Sequence, residues 1–216
     1  MKRDSNSRLG ERFEQALLYA VRKHAGQVRK HTDIPYISHL LAAAGLVMEF
    51  GGSEDEVVAA LLHDAAEDQG GTETLAEIRA QFGDAVADIV ADCSDDMPEE
   101  ESKKRPWQER KTEHIAHLSK APRSVLLVSM ADKIHNLRTI LTDLEVLSVT
   151  GMWQRFNATP AESLWYYRSL LDIFARCDAQ PALPLAMVRL MQNLVASLGD
   201  KIAAVPLPDM PKGCAE

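Results

Sequence analysis

Four ionisable side chains crowd the end of an apolar run. Ala59-Ala60-Leu61-Leu62 leads into His63-Asp64, and Glu67-Asp68 follow within one more turn. Helical residues four apart share a face, so His63 neighbours Glu67 while Asp64 neighbours Asp68 on the adjacent stripe. Burying the run buries the His-Asp pair with it. That is costly unless something compensates the charge, and a divalent metal is the usual compensator. Alone, a His-Asp pair is more often a feature of a helix surface. Two other apolar helices change the balance. His39 is the one ionisable group in the interior of its helix, and Asp132 follows Val125-Leu126-Leu127-Val128-Ser129-Met130-Ala131, which otherwise reads as core. Each has a bland reading, as a packed histidine or as the partner of a nearby cation. All three occurring in this order favour a shared ion. Two neutral imidazoles and two carboxylates make a mixed nitrogen and oxygen site, suited to Mn, Fe, Co or Zn. Glu67 and Asp68, one turn on, are placed to hold a water or steer a ligand.

The elements that must position these groups are helical. Phe13, Leu17, Ala20 and Val21 fall on one face of a helix from Leu9 to about His24. Polar residues 27–35, with Arg29 and Lys30, connect it to an apolar helix from Tyr36 to Phe50 that Gly51-Gly52 breaks. Ser53-Glu54-Asp55-Glu56 is a capping box that starts the motif helix, expected to run through Asp68 to Gly70-Gly71. Thr72 or Thr74 caps a helix to Phe82, and Gly83 separates it from one ending near Cys93. An acidic, Pro-containing stretch reads as a loop, and a basic helix from Lys103 to Leu118 follows. Pro122 sits where first-turn prolines sit, opening a helix to about Leu147. A connection rich in aromatics spans 151–159, and helices follow at Pro160–Cys177 and Ala182–Leu198. No segment alternates with the period of a strand. The expected fold class is all-α: a single-domain bundle of about eight to ten helices over residues 9–200. Flexible tails are expected at 1–8 and 201–216.

Totals exclude several classes. The chain has 216 residues and a net charge of -8, with an isoelectric point near 5.4. Neither DNA nor RNA binding is expected of such a surface. Cys93, Cys177 and Cys214 make no metal-type pair and no disulfide framework, which fits a reducing cytoplasm. The N-terminus lacks an apolar signal core and no run approaches a membrane span. Oligomeric state leaves no mark in the residues.

The order His39, His63-Asp64, Asp132 is similar to the signature of the HD phosphohydrolase superfamily. Longer blocks carry a more specific likeness: His24 through Lys30, Pro35-Tyr36-Ile37-Ser38-His39, Ala59 through Asp68, Phe82-Gly83, and Ala131 through Arg138. Over roughly residues 20–140 they resemble the (p)ppGpp hydrolase domain of the Rel/SpoT family and its small stand-alone relatives. The resemblance implies one Mn²⁺ held by His39, His63, Asp64 and Asp132, with Glu67 and Asp68 serving the attacking water. It implies 3′-pyrophosphohydrolysis of guanosine 3′,5′-bis(diphosphate), with a nucleotide phosphate as the partner molecule. It favours Arg29, with Lys30 beside it, as a phosphate contact, and Asn136 as a contact to the nucleotide sugar; Lys133 is a further candidate. The family has a substrate-contacting tyrosine near Leu164-Trp165-Tyr166-Tyr167-Arg168, which makes Tyr167 and Arg168 candidates. Helical spacing alone makes Leu164, Tyr167 and Leu171 one core face. Two rival readings stand beside the first: a phosphatase for another nucleotide or dinucleotide phosphate, such as NADPH or nucleoside monophosphates, and a nucleotide sensor without turnover. The stretch Trp153–Pro160 and Gln69, where many relatives have Thr, depart from the family pattern.

Overall fold

A helix that is apolar on every side has to be surrounded, and one helix of this chain is. In the computed structural model, which describes residues 9–94, 105–154, 156–176 and 182–204, the segment Val57–Leu62 is fully enclosed. It belongs to α3 (Glu54–Leu62), which touches α1 (Glu11–Lys23), α2 (Ile37–Glu49), α6 (Asp84–Cys93) and α8 (Arg123–Asp143). Ala43 and Ala44 on α2, Ala59 and Ala60 on α3, and Ala131 on α8 are buried, and their small side chains allow close packing. Leu61, Leu62 and Leu127 fill the space between, each worth about 1.5–3 kcal/mol of burial. The remaining helices are α4 (Ala65–Asp68), α5 (Gly71–Phe82), α7 (Trp107–Leu118), α9 (Val149–Trp153), α10 (Pro160–Phe174) and α11 (Leu185–Ala203). The described residues thus hold eleven helices, two of them a single turn or little more, and no strand; the architecture is the expected all-α bundle.

Local chemistry explains the boundaries. Ser53 and Glu56 form the expected capping box, the Glu56 backbone N–H donating to Ser53 Oγ and the Ser53 backbone N–H to Glu56 Oε2. Thr159 and Glu162 form a second, with Pro160 in the first turn of α10. The turn before α3 requires glycine: Gly51 has φ +76, and a Cβ on Gly52 would collide with Val47.

Several features differ from expectation. The motif helix is not continuous, because α3 ends at Leu62 and α4 begins at Ala65. The His63 ring donates to Ala60 O, the carbonyl that the Asp64 N–H would take in an unbroken helix. Neither Thr72 nor Thr74 caps α5: Gly70 precedes it with φ +120, and Thr74 Oγ1 donates to Gln69 O. Pro122 is the N-cap of α8 rather than its first residue. That helix stops at Asp143, and a short α9 occupies part of the expected aromatic connection. The polar connection after α1 is a tight hairpin, in which Val28 bridges Pro35 and Arg29 N–H donates to Ile34 O at 2.8 Å. The acidic loop and both tails lie outside the described residues, save 201–204, where α11 runs on to Ala203.

Candidate metal centre

Three helices meet around four donors. His39 comes from the first turn of α2, His63 and Asp64 from the α3–α4 break, and Asp132 from the middle of α8. His39 Nε2 lies 3.4 Å from Asp64 Oδ2 and 3.2 Å from Asp132 Oδ1. His63 Nε2 lies 3.2 Å and 3.8 Å from the same two oxygens. Donor atoms of His39, His63 and Asp64 all fall within 4.8 Å of one another.

The tautomer of His63 bears on what these donors hold. Nδ1 sits 2.9 Å from Ala60 O, so the ring proton belongs there. In the neutral ring Nε2 then keeps its lone pair. It is buried, and it makes no hydrogen bond among the described residues. A buried lone pair facing two carboxylates is what a cation would satisfy. The donor set therefore fits a divalent ion. An ion there would compete with a proton, which the same two carboxylates draw to the ring. Burial disfavours a charged His63 ring, yet Asp64 and Asp132 outweigh it and hold the imidazole well above its ordinary value. Burial likewise opposes ionisation of Asp64, but His63 and His39 keep it well below the carboxylate range. At Asp132 burial is overcome by Lys133 first and by the two histidines after it.

A second ring of contacts holds the donors. Asn136 Nδ2 donates to Asp132 Oδ1 and Lys133 Nζ to Oδ2, each at 2.5 Å. Arg29 Nη2 donates to Asn136 Oδ1 at 2.6 Å. The Tyr36 hydroxyl donates to Asp64 Oδ2 at 2.6 Å. The Tyr36 ring carries the Arg29 guanidinium 5.4 Å from its centroid and stacks on His24 at 5.1 Å. His39 Nδ1 meets His135 Nδ1 at 2.7 Å. Burial, with His39 and Arg29 nearby, pushes the His135 imidazole down to about 4, so this ring is neutral at neutral pH.

Glu67 and Asp68 lie on α4, directly after the donors. Glu67 is half-buried and Asp68 exposed. Asp68 Oδ2 accepts from Gln27 Nε2 at 2.9 Å. Gln27 Oε1 is met by Gln69 Nε2 at 2.6 Å and His24 Nδ1 at 2.7 Å, which fixes the direction of the amide.

Of the expected substrate contacts, the structure brings Lys133 and Asn136 onto Asp132, and Arg29 onto Asn136. Tyr167, on α10, is buried, and burial keeps its hydroxyl protonated. It lies close enough to Lys133, Asp132 and Arg29 for their charges to act on it. Lys30 and Arg168 are exposed. Arg168 lies against Gly199 of α11, and among the described residues neither makes a hydrogen bond or ion pair with the donors. Tyr36 and Gln27 were not singled out as site residues. Their signal was their place in the matching blocks on either side of Arg29, and the hairpin is what folds both onto the site.

The all-α fold and the cluster of His39, His63, Asp64 and Asp132, three of them buried, are those expected of a metal-dependent helical hydrolase. The HD domain family matches residues 16–150, and the chain belongs to that family, whose members are metal-dependent hydrolases. It is 38% identical over 129 residues to the Xenopus tropicalis guanosine-3′,5′-bis(diphosphate) 3′-pyrophosphohydrolase MESH1, covering 58% of this chain and 68% of that protein. It is 36% identical over 127 residues to a probable GTP pyrophosphokinase of Mycobacterium leprae, but spans only 16% of that longer protein. Among solved structures, a metazoan ortholog of SpoT, described as hydrolysing ppGpp, superposes with a TM-score of 0.66 at 24% identity, over 89% of this chain and 98% of that one. A Listeria monocytogenes protein superposes with a TM-score of 0.62 at 32% identity, over 77% and 99%. Among the described residues no helix is long and apolar enough to cross a membrane.

Proposed function

We propose that this protein is a Mn²⁺-dependent phosphohydrolase that removes the 3′-pyrophosphate of guanosine 3′,5′-bis(diphosphate). The observation that carries the reading is the buried, unpartnered Nε2 of His63 facing Asp64 and Asp132 beside His39. The substrate comes from the pyrophosphohydrolase relatives, of which this chain covers about two thirds. His39, His63, Asp64 and Asp132 would hold the ion, which supplies Lewis acidity that acidifies water and neutralises phosphoryl charge.

The reaction breaks the bond between the ribose 3′ oxygen and phosphorus. Water gives its hydroxyl to the departing pyrophosphate, and the 3′ oxygen takes a proton. Of Glu67 and Asp68, one takes the proton of the attacking water and the other orients it. Asp68 is held for this by the Gln27 amide. Glu67 was expected to share a helical face with His63, but the break at His63-Asp64 interrupts that face. Arg29 and Lys133 bring positive charge to the phosphates, Asn136 a polar edge to the sugar, and Tyr167 a wall. Lys30 and Arg168 meet substrate only at the rim.

The test is direct. Purified protein with Mn²⁺ should convert guanosine 3′,5′-bis(diphosphate) to GDP and pyrophosphate. EDTA should stop the reaction and added Mn²⁺ restore it. Absence of pyrophosphate from the Mn²⁺-loaded protein removes the substrate assignment. Turnover of NADPH or a nucleoside monophosphate in the same panel would then name the substrate class.

A further inference from the structure

The two histidine donors are fixed by different devices. His63 has its proton held on Nδ1 by a backbone carbonyl. No backbone oxygen meets the His39 ring among the described contacts; its Nδ1 meets another imidazole, His135 Nδ1, at 2.7 Å. The ring centroids are 4.8 Å apart and the planes tilt by 43°. Two lone pairs cannot face each other at that distance, so one of the two nitrogens carries a proton. His39 Nε2 points the other way, toward Asp64 Oδ2 and Asp132 Oδ1. For Nε2 to offer its lone pair to an ion, the His39 proton must sit on Nδ1. His135 Nδ1 is then the acceptor.

We propose that His135 positions His39 for metal binding by accepting its Nδ1 hydrogen bond. This rests on the metal reading above. It gives α8 two jobs at one site. Asp132 enters the donor set directly, and His135, three residues on and on the same side of the helix, sets the orientation of a donor that belongs to α2. Lys133 and Asn136 are occupied with Asp132 and cannot do this. His39 is 1% exposed, so no water competes for its Nδ1 from bulk solvent.

The prediction concerns affinity for the ion and can be read without turnover. Mn²⁺ would be titrated calorimetrically into metal-free wild type, His135→Phe and His135→Asn. Asn carries its amide oxygen the same number of bonds from Cα as Nδ1 and keeps an acceptor; Phe keeps the ring and loses it. His135→Phe should bind Mn²⁺ about 10–100-fold more weakly, with an unchanged thermal midpoint of the metal-free protein, and His135→Asn should bind nearly as wild type. In a His39→Ala background, His135→Phe should add no further loss. Equal affinity of His135→Phe and wild type overturns the assignment, as does equal loss in the Phe and Asn variants. Where Phe does not fold, His135→Ala makes the same comparison. A wild type that takes up no Mn²⁺ overturns the metal reading itself, a different failure from a metal-binding protein indifferent to residue 135.

Discussion

Two sets of charged residues in this molecule use the same chemistry to opposite ends. On the outer faces of α1, α5 and α6 and at the start of α3, Arg79 pairs with Asp84 and Asp88 at 2.7 Å, Lys23 with Glu77 at 2.8 Å, and Arg12 with Asp55. These side chains range from partly to largely exposed, and solvent screens them. Where α2, the α3–α4 break and α8 meet, His39, His63 and Asp132 are buried, with Asp64, Lys133 and Asn136 partly so. Burial opposes charge on His63, Asp64, Asp132 and Lys133, and their charged neighbours offset it. The outer pairs are interchangeable decoration. The inner set costs stability, and a fold keeps such a cost where the groups have work to do.

Substitutions can break this contrast, and the largest effect should come from the inner donors. Asp64→Ala should abolish metal retention and turnover together, read by metal analysis of the purified protein beside a pyrophosphate assay. Retention of both would dissolve the site. Next comes Glu67→Gln, which should keep the metal but lose about 10²–10⁴ in kcat. Loss of metal in that variant would make Glu67 a ligand. Leu127→Ala, in the packing beneath the donors, should cost about 2–5 kcal/mol in denaturant unfolding while the folded fraction still turns over. The smallest effect belongs to the outer set: Arg79→Ala should leave turnover unchanged and shift Tm by no more than about 2 °C. A large drop there would mean that the surface pairs bear on the fold after all.

That His39, His63, Asp64 and Asp132 cluster was legible because each stands in or directly after an apolar helical run where propensity gives no reason for a polar side chain. The all-α class was legible in the helical periodicity and the absence of alternating runs. What eluded the sequence depends on side chains competing with backbone. The break between α3 and α4 follows from His63 taking Ala60 O, and a periodic apolar run gives no warning of it. The end of α8 at Asp143 and the appearance of α9 lie in a stretch with mixed helix and turn residues. Gln27 and Tyr36 became site residues only through the hairpin that brings 27 against 36, where Tyr36 N–H donates to Gln27 O at 2.9 Å. Pairing across nine residues is tertiary information. Asn136 and Arg29 were expected to wait for substrate, yet in this structure they bond each other; 107 positions apart in the chain, that pairing has no local signal.

One feature of α8 bears on how this chain can change length. Asp132, Lys133, His135 and Asn136 occupy just over one turn of a helix whose other sides are packed on α2, α3, α6 and α11. One residue added upstream within α8 would rotate that turn by about 100° and advance it by about 1.5 Å. Every side chain in it would then face the wrong neighbour. Insertions and deletions are therefore barred from 123–136. Downstream of Asp143, a turn with Glu145, Val146 and Ser148 exposed leads into a short helix. That is where lineages descending from such a protein should differ in length, and where an engineer should splice.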